Sequence, residues 1–222
     1  MASVAGWRQV PIHECGEPLV RVEGERLVIR SAYRELHYTC ALKRIFLRSG
    51  AAARLQQAAQ LLPDGYTLVL WDGWRPVELQ AELYGSYRRQ IAADTGLAGE
   101  ELETETQRFV SQPSTDPAKP SPHLTGGAID LTLGDEDGNP IDMGGAFDEL
   151  SPRTAPDFYD GATDPAGVLY DIRRLLLRSV MESAGFTNYP EEWWHFDFGN
   201  QFNGIIAGCD AVYGPVFLPC RS

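Results

Sequence analysis

The sequence predicts one α+β domain with a mainly antiparallel sheet flanked by helices. Three observations carry that expectation. Strand-like and helix-like stretches are interleaved irregularly, with no repeating βα unit and no glycine-rich phosphate loop. The 222 residues suffice for one substantial core, so a single domain over 1–222 fits better than two small ones. A composition of 43% hydrophobic and 23% charged residues is ordinary for a soluble globular chain.

Taken in order, the first thirty-odd residues read as short strands and turns. Leu19-Val20-Arg21-Val22 and Arg26-Leu27-Val28-Ile29 alternate enough to suggest a hairpin around Gly24. Ala52, Leu55, Ala59 and Leu62 recur at helical spacing between Ser49 and Leu62, and Pro63-Asp64-Gly65 ends that run. Tyr66 to Trp71 has strong β-propensity and stops at Asp72-Gly73. Pro76 suits the first position of a helix that reaches about Ala92 through Leu79, Leu83 and Tyr87. The acidic stretch from Gly99 to Glu105 continues into Gln107-Arg108-Phe109-Val110 as a solvated helix. Four prolines and no periodicity make 111–122 a loop.

Residues 127–133 read as a strand. The Asp-, Gly- and Pro-rich segment 134–167 is a long excursion of the kind that forms lids and binding walls. A helix from Asp171 to Ala184 turns Ile172, Leu175, Leu176 and Val180 inward, with Gly185 as its stop. Residues 193–198 form a last strand, and the glycine-rich tail after Gly199 offers no chemistry.

Charge narrows the partners. A formal charge of −12 repels phosphate backbones and anionic membrane, so nucleic acid and membrane are not expected, and small molecules are. No apolar run reaches membrane-spanning length. Arg8, His13, Glu14, Glu17 and Arg21 interrupt any leader-like pattern, so a cytoplasmic location is expected. Cys15, Cys40, Cys209 and Cys220 form no C-x-x-C pair and are expected as buried free thiols. In an oxidising compartment Cys209 and Cys220 would be the pair to bridge.

The chemistry concentrates in two stretches. Ser121-Pro122-His123-Leu124-Thr125-Gly126-Gly127-Ala128-Ile129-Asp130 sets a histidine and an aspartate seven residues apart around a double glycine. Glu191-Glu192-Trp193-Trp194-His195-Phe196-Asp197 carries the one other histidine with comparable company. Strand alternation puts Ile129, Leu131 and Leu133 on one face and leaves Asp130 and Thr132 on the other, facing a cleft. Gly126-Gly127 lets the loop fold back so that His123 and Asp130 converge.

Two neutral imidazoles and one carboxylate are a minimal catalytic zinc set with a fourth position left for water. Zinc lowers the pKa of such a water from about 15.7 to near 7, and a nearby carboxylate must take its proton. Glu191 and Glu192 both qualify. Strict alternation favours Glu191, but Pro190 makes a bend there, so periodicity leaves the choice open. Arg75, in Trp71-Asp72-Gly73-Trp74-Arg75-Pro76, is placed to aim a fixed charge into a cleft, although position alone fits a surface ion pair better.

Those three stretches, with a weaker patch at Met143-Gly144 and Phe147-Asp148, together resemble the VanX-type D-alanyl-D-alanine dipeptidases. These are zinc enzymes of the wider D,D-peptidase and hedgehog-like family. The likeness spans about residues 65–198. It implies one Zn2+ per chain held by His123, Asp130 and His195, Glu192 as the general base, and Arg75 as the group that stabilises the tetrahedral intermediate. It further implies that Ser121 and Asp148 hold the free amino end of a dipeptide. The expected reaction is hydrolysis of D-alanyl-D-alanine or a similar dipeptide, in removal or recycling of a cell-wall precursor. The alternatives are a D,D-carboxypeptidase or endopeptidase on longer wall peptides, and a binding module that keeps the metal fold without turnover. One departure stands out: Ser31 to Tyr38 does not align with the Asn-Phe-x-Gly segment common in the family.

Overall fold

The computed structural model describes residues 4–220. In chain order the strands are β1 (Leu19–Arg21), β2 (Leu27–Ile29), β3 (Phe46–Arg48), β4 (Thr67–Asp72), β5 (Ala128–Gly134), β6 (Thr187–Asn188) and β7 (His195–Asp197). The α-helices are α1 (Ala32–Glu35), α2 (Ser49–Leu61), α3 (Val77–Thr95), α4 (Gly99–Phe109), α5 (Pro165–Ser183) and α6 (Gln201–Ala207). A five-stranded sheet runs β2-β4-β5-β7-β6, with only β2–β4 parallel, and β1 pairs with β3 in a separate ribbon. The mainly antiparallel α+β architecture is therefore as expected.

One face of the sheet packs on α2 and α5. Leu68, Leu70, Ile129, Leu131 and Leu133 meet Leu55 and Ala59 from α2, Leu62 at its C-cap, and Leu177, Val180 and Met181 from α5. All four residues expected to face inward from this run are buried. Pro76 caps α3 rather than opening it, and Leu79 and Leu83 turn inward to a smaller cluster with Tyr33 and Ala41. Among the described residues, no helix is long and apolar enough to cross a membrane.

The hairpin around Gly24 does not form. β1 pairs antiparallel with β3, while β2 pairs parallel with β4, Leu27 opposite Leu68. Local turn chemistry loses here to burial. The fully apolar run Leu68–Leu70 offers β2 a place at the edge of the main sheet, where it also covers core.

Helix α5 departs in register and in face. It starts at Pro165, where the Asp164 side chain caps the Gly167 amide, six residues ahead of the expected start. Ile172 and Leu175 point to solvent, at 57% and 43% exposure, while Arg174 is buried. The Arg174 guanidinium donates to the carbonyls of Met143, Arg153 and Ala155, so the helix face is set by three charged hydrogen bonds. Each such bond contributes roughly 1.5–3 kcal/mol, as much as burying one aliphatic side chain. Three of them outweigh the partial exposure of two apolar residues, and they fasten the 134–167 excursion to the helix.

The cysteines also differ from expectation. Cys40 is bonded to Cys220, and Cys15 and Cys209 are exposed free thiols rather than buried ones. A pairing across 180 residues of chain leaves no local signal. Alkylation of unreduced protein is expected to label Cys15 and Cys209 only, with Cys40 and Cys220 joining after reduction. Mass analysis of the tryptic peptides reads this directly, and label on Cys40 before reduction would contradict it.

Candidate metal centre and pocket

The centre is built where β4, β5 and β7 end side by side. His123 sits in a 3-10 turn, Pro122–Thr125, that closes on Gly126 in the left-handed region. Gly127 follows because a Cβ there would collide with the Phe198 carbonyl oxygen. The double glycine thus lets the turn lie flat against β7. β5 then carries Asp130 directly opposite His195 in the antiparallel ladder. Strand β4 gains one residue between Leu70 and Asp72, and this bulge sets Asp72 beside Asp130. Thr132, expected on the cleft face, is fully buried, so the cleft opens only at the Asp130 end of β5.

His123, Asp130 and His195 are all buried, and one ligand atom of each lies within 4.8 Å of the other two. Among the described residues, they form the only such group of three. His195 Nδ1 is 2.9 Å from Asp130 Oδ1 and 3.2 Å from His123 Nε2, which is 3.3 Å from Asp130 Oδ2. Ligands at zinc–nitrogen bond lengths and tetrahedral angles stand roughly 3.3 Å apart, close to this spacing. His123 Nδ1 donates to the Gly73 carbonyl at 2.8 Å, which leaves the Nε2 lone pair facing inward. Inward lone pairs on two imidazoles beside a carboxylate repel one another unless a cation lies between them, so this donor set fits a metal.

The electrostatics agree. Burial opposes the Asp130 carboxylate, yet His123 and His195 outweigh it and hold its pKa well below the usual range. Burial likewise opposes a charged His195, but Asp197 and Asp130 outweigh it and raise its pKa. The site as a whole favours positive charge at its centre.

Glu192 and Glu191 separate clearly. Residues 189–194 turn before β7 begins, with Asn188 Nδ2 donating to the carbonyls of Glu192 and His195. The expected strand from Trp193 is therefore shorter, because the turn uses those backbone groups. Glu192 reaches inward, with Oε2 3.9 Å from His195 Nδ1, whereas Glu191 is exposed on an outer groove. Burial pushes the Glu192 carboxyl up to about 8.

Arg75 is buried rather than on the surface. Its backbone N–H donates to the His123 carbonyl, and its guanidinium is fully engaged. Nε donates to Asp72 at 2.7 Å, Nη1 to Gln80 at 2.9 Å, and Nη2 lies 3.4 Å from both Asp130 and the Tyr33 hydroxyl. Burial opposes this charge, but Tyr33, Asp72 and Asp130 outweigh it and keep the guanidinium's pKa above its ordinary value.

Asp148 comes from the 134–167 excursion and adopts a left-handed φ of 58°, which Asp tolerates better than most residues. Phe147 anchors it, packing against Trp71, Tyr33 and Trp194. The Tyr33 hydroxyl donates to Asp148 Oδ2 at 2.8 Å. Burial, then the charge of Asp130, pushes the Asp148 carboxyl up to about 6.

Ser121 is buried and lines the same small cavity of about 70 Å³ as Arg75, His123, Asp130, Asp148 and Glu192. Beside Tyr87, Asp148 and Glu192 this cavity adjoins an open groove of about 990 Å³. All seven residues singled out in the sequence thus line or border one cavity. Tyr33 and Gln80 line it as well, Asp72 pairs with the Arg75 that lines it, and all three were missed. Asp72 lies within the quoted arginine motif and Tyr33 within the unaligned stretch Ser31 to Tyr38, but neither was given a role, and Gln80 carried no signal, since amide residues on helices are usually packing.

The model of the peptidase M15 family, D-ala-D-ala dipeptidase, matches residues 36–207. A D-alanyl-D-alanine dipeptidase of Synechocystis sp. is 35% identical, with 86% of this chain and 86% of the relative covered. One of Escherichia coli is 33% identical over 73% of this chain and 77% of its own. Among solved structures, the vancomycin-resistance D,D-pentapeptidase VanY of a VanB-type cassette, in complex with Zn(II), gives a TM-score of 0.45 at 17% identity. That match covers 75% of this chain and 82% of the other.

Proposed function

From the premise that the chain belongs to the peptidase M15 family of D-Ala-D-Ala dipeptidases, we propose that it hydrolyses D-alanyl-D-alanine or a similar D,D-dipeptide to free amino acids. The observation that carries this reading is the buried convergence of His123, Asp130 and His195 beside Glu192 and Arg75 in one small cavity. His123, Asp130 and His195 would hold zinc. Zinc bound there supplies Lewis-acid charge and brings the pKa of a water molecule near 7.

The chain's own residues do the rest. Glu192 takes a proton from the attacking water and delivers it to the leaving amine as the C–N bond breaks. Arg75 faces the oxygen that gains negative charge when the carbonyl becomes tetrahedral. Asp148, with Ser121 near, receives the substrate ammonium and so selects a free amino end. A carboxylate in the same cavity as the metal ligands suits a dipeptide, whose ammonium lies one residue from the scissile bond.

The groove next to Asp148 and Glu192 favours a second reading, in which longer wall peptides extend outward past Tyr87. Asp148→Asn decides between them, because asparagine keeps both the volume and the left-handed backbone while losing the charge. For the free dipeptide, KM is expected to rise about 10–100-fold, the worth of one charged hydrogen bond. An N-acetylated dipeptide is expected to change little, and equal losses on both would remove Asp148 as the amine anchor. In the wild type, kcat/KM for the dipeptide is expected to fall at low pH as Asp148, whose carboxyl is pushed up to about 6, takes up a proton. Asp148→Asn should lose that limb while keeping the one set by Glu192. A cation beside Asp130 moves the Asp148 limb lower, because it offsets the second cause of the shift.

The reading as a whole is tested by release of alanine from D-alanyl-D-alanine by metal-loaded, chelated and reloaded protein. Activity is expected to vanish on chelation and return with zinc, and a metal-loaded protein that releases no alanine would sink the dipeptidase reading. We place the reaction in the cytoplasm, as recycling or removal of a cell-wall precursor. The Cys40–Cys220 disulfide bears on that placement, because such bonds persist in oxidising compartments. Rapid alkylation of cells before lysis decides it: free Cys40 supports the cytoplasm, and an intact bond overturns that placement.

A further inference from the structure

His195 and Asp197 are two residues apart on β7, so their side chains leave the strand on the same face. His195 Nδ1 points to Asp130 and His123, and the other ring nitrogen, Nε2, points to Asp197 Oδ2 at 3.1 Å. Asp197 is completely buried. The distance is that of an ion pair, the hydrogen-bond geometry is not met, and both atoms are buried without any hydrogen-bond partner among the described residues. Each depends on the other to be satisfied. The second carboxylate oxygen, Oδ1, accepts from Asn200 Nδ2 at 2.6 Å, and Asn200 in turn caps α6 through the Asn203 amide. The carboxylate therefore meets a helix N-cap residue with one oxygen and faces the imidazole with the other.

The two ligand histidines are backed differently. The outer nitrogen of His123 donates to a neutral carbonyl, that of Gly73, with the Asp72 carboxylate farther off at 3.6 Å, whereas the outer nitrogen of His195 has only a carboxylate before it, at 3.1 Å. An imidazole that donates Nε2–H must carry its lone pair on Nδ1, and a carboxylate acceptor also makes that lone pair more basic. Tyr189 and Phe202 pack around the ring at 5.6 and 6.4 Å between centroids. Such packing limits where the ring plane lies, but it cannot choose which nitrogen holds the hydrogen.

We propose that Asp197 is a positioning residue for the metal centre. It accepts the Nε2 hydrogen of His195 and so fixes the tautomer that turns Nδ1 to Asp130 and His123. This rests on the reading of His195 as a zinc ligand. Asp197 neither touches substrate nor moves a proton in the reaction; it acts through His195 alone.

The test is zinc affinity, measured by competition with a chromophoric chelator on wild type, Asp197→Ala, Asp197→Asn, Asn200→Ala and His195→Ala. Asp197→Ala is expected to bind zinc about 10–100-fold more weakly, the usual effect of losing a carboxylate behind a ligand histidine. Asn200→Ala, which disturbs the cap but leaves Oδ2 in place, is expected to stay within about threefold of wild type. Asp197→Asn keeps the volume, but its single amide oxygen can serve only one of His195 and Asn200, so it too is expected to bind more weakly.

In spectra of the zinc-loaded protein the proton on His195 Nε2 should lie downfield, as one hydrogen-bonded to a carboxylate does, and should move upfield in Asp197→Ala, a displacement that packing alone would not produce. Wild-type affinity in Asp197→Asn overturns the proposal, and this variant decides if Asp197→Ala does not fold. An equal loss in Asn200→Ala would overturn it too, by showing that the effect is structural. Failure of the wild type to hold one zinc per chain, or undiminished binding by His195→Ala, would instead bring down the metal reading itself, and the proposal with it.

Discussion

Glu192→Gln is expected to lower kcat for D-alanyl-D-alanine about 10²–10⁴-fold, with zinc content and KM nearly unchanged. The size follows from what a positioned carboxylate supplies, which is transfer of a proton in both halves of the reaction. Glutamine keeps the shape and can still hydrogen-bond a water, but it cannot take a proton. Glu192 is placed for the task by backbone as much as by side chain. Asn188 grips the carbonyls on both sides of the turn, and the carboxylate ends 3.9 Å from the His195 nitrogen that faces the metal set.

Its burial bears on the same point. A carboxyl pushed up to about 8 is mostly protonated at neutral pH and would be a poor base. Positive charge held by the neighbouring ligand set would pull it back toward the working range. Glu191→Gln is the companion variant. Glu191 is exposed on the outer groove, and near-normal turnover is expected from it. If instead Glu191→Gln were the crippled enzyme and Glu192→Gln the active one, the assignment of the base would be reversed.

The parts of this site that could be read in the sequence are those whose geometry is local. His123 and Asp130 are linked by a turn, two glycines and two strand residues, so alternation along β5 was enough to aim Asp130 at a cleft. The choice between Glu191 and Glu192 is only four residues long, yet alternation failed there, because a turn occupies the positions where a strand was assumed. Family likeness, and not periodicity, pointed to Glu192. What could not be read is what depends on distant pairing. Tyr33 reaches Asp148 across 115 residues, and Cys40 reaches Cys220 across 180. Neither partner has any local reason to be noticed.

The misread elements share a cause. The Gly24 hairpin and the inward face of α5 were both inferred from local pattern, and in both cases a tertiary contact was worth more. β2 left its neighbour for Leu68–Leu70 of β4, and α5 turned Arg174 inward to collect three carbonyls while Ile172 faced water. A buried arginine is rare enough that pattern reading places it outside by default. The same default assigned Arg75 to a surface ion pair, and the same physics overturned it.

Arg75 is therefore the second residue whose replacement should have a large effect. Removal of one donor to a developing oxyanion costs about 10²–10³ in kcat. Arg75→Ala carries a further penalty, because it strands buried Asp72 without its partner at 2.7 Å, and breaking a buried pair costs roughly 3–5 kcal/mol of stability. Arg75→Lys separates the two effects. A lysine keeps the charge near Asp72 and so should retain most of the stability, but one ammonium cannot span Asp72, Gln80, Tyr33 and Asp130 together. The expected result is a folded, zinc-binding Arg75→Lys enzyme whose Tm is close to wild type and whose kcat is still lowered about tenfold or more. KM should move little, since the charge matters most once the carbonyl has become tetrahedral. A lysine variant with wild-type kcat would show that any nearby positive charge suffices and that the fourfold grip on the guanidinium serves the fold. A variant that loses KM but keeps kcat would move Arg75 from the reacting carbonyl to binding of the substrate's carboxylate.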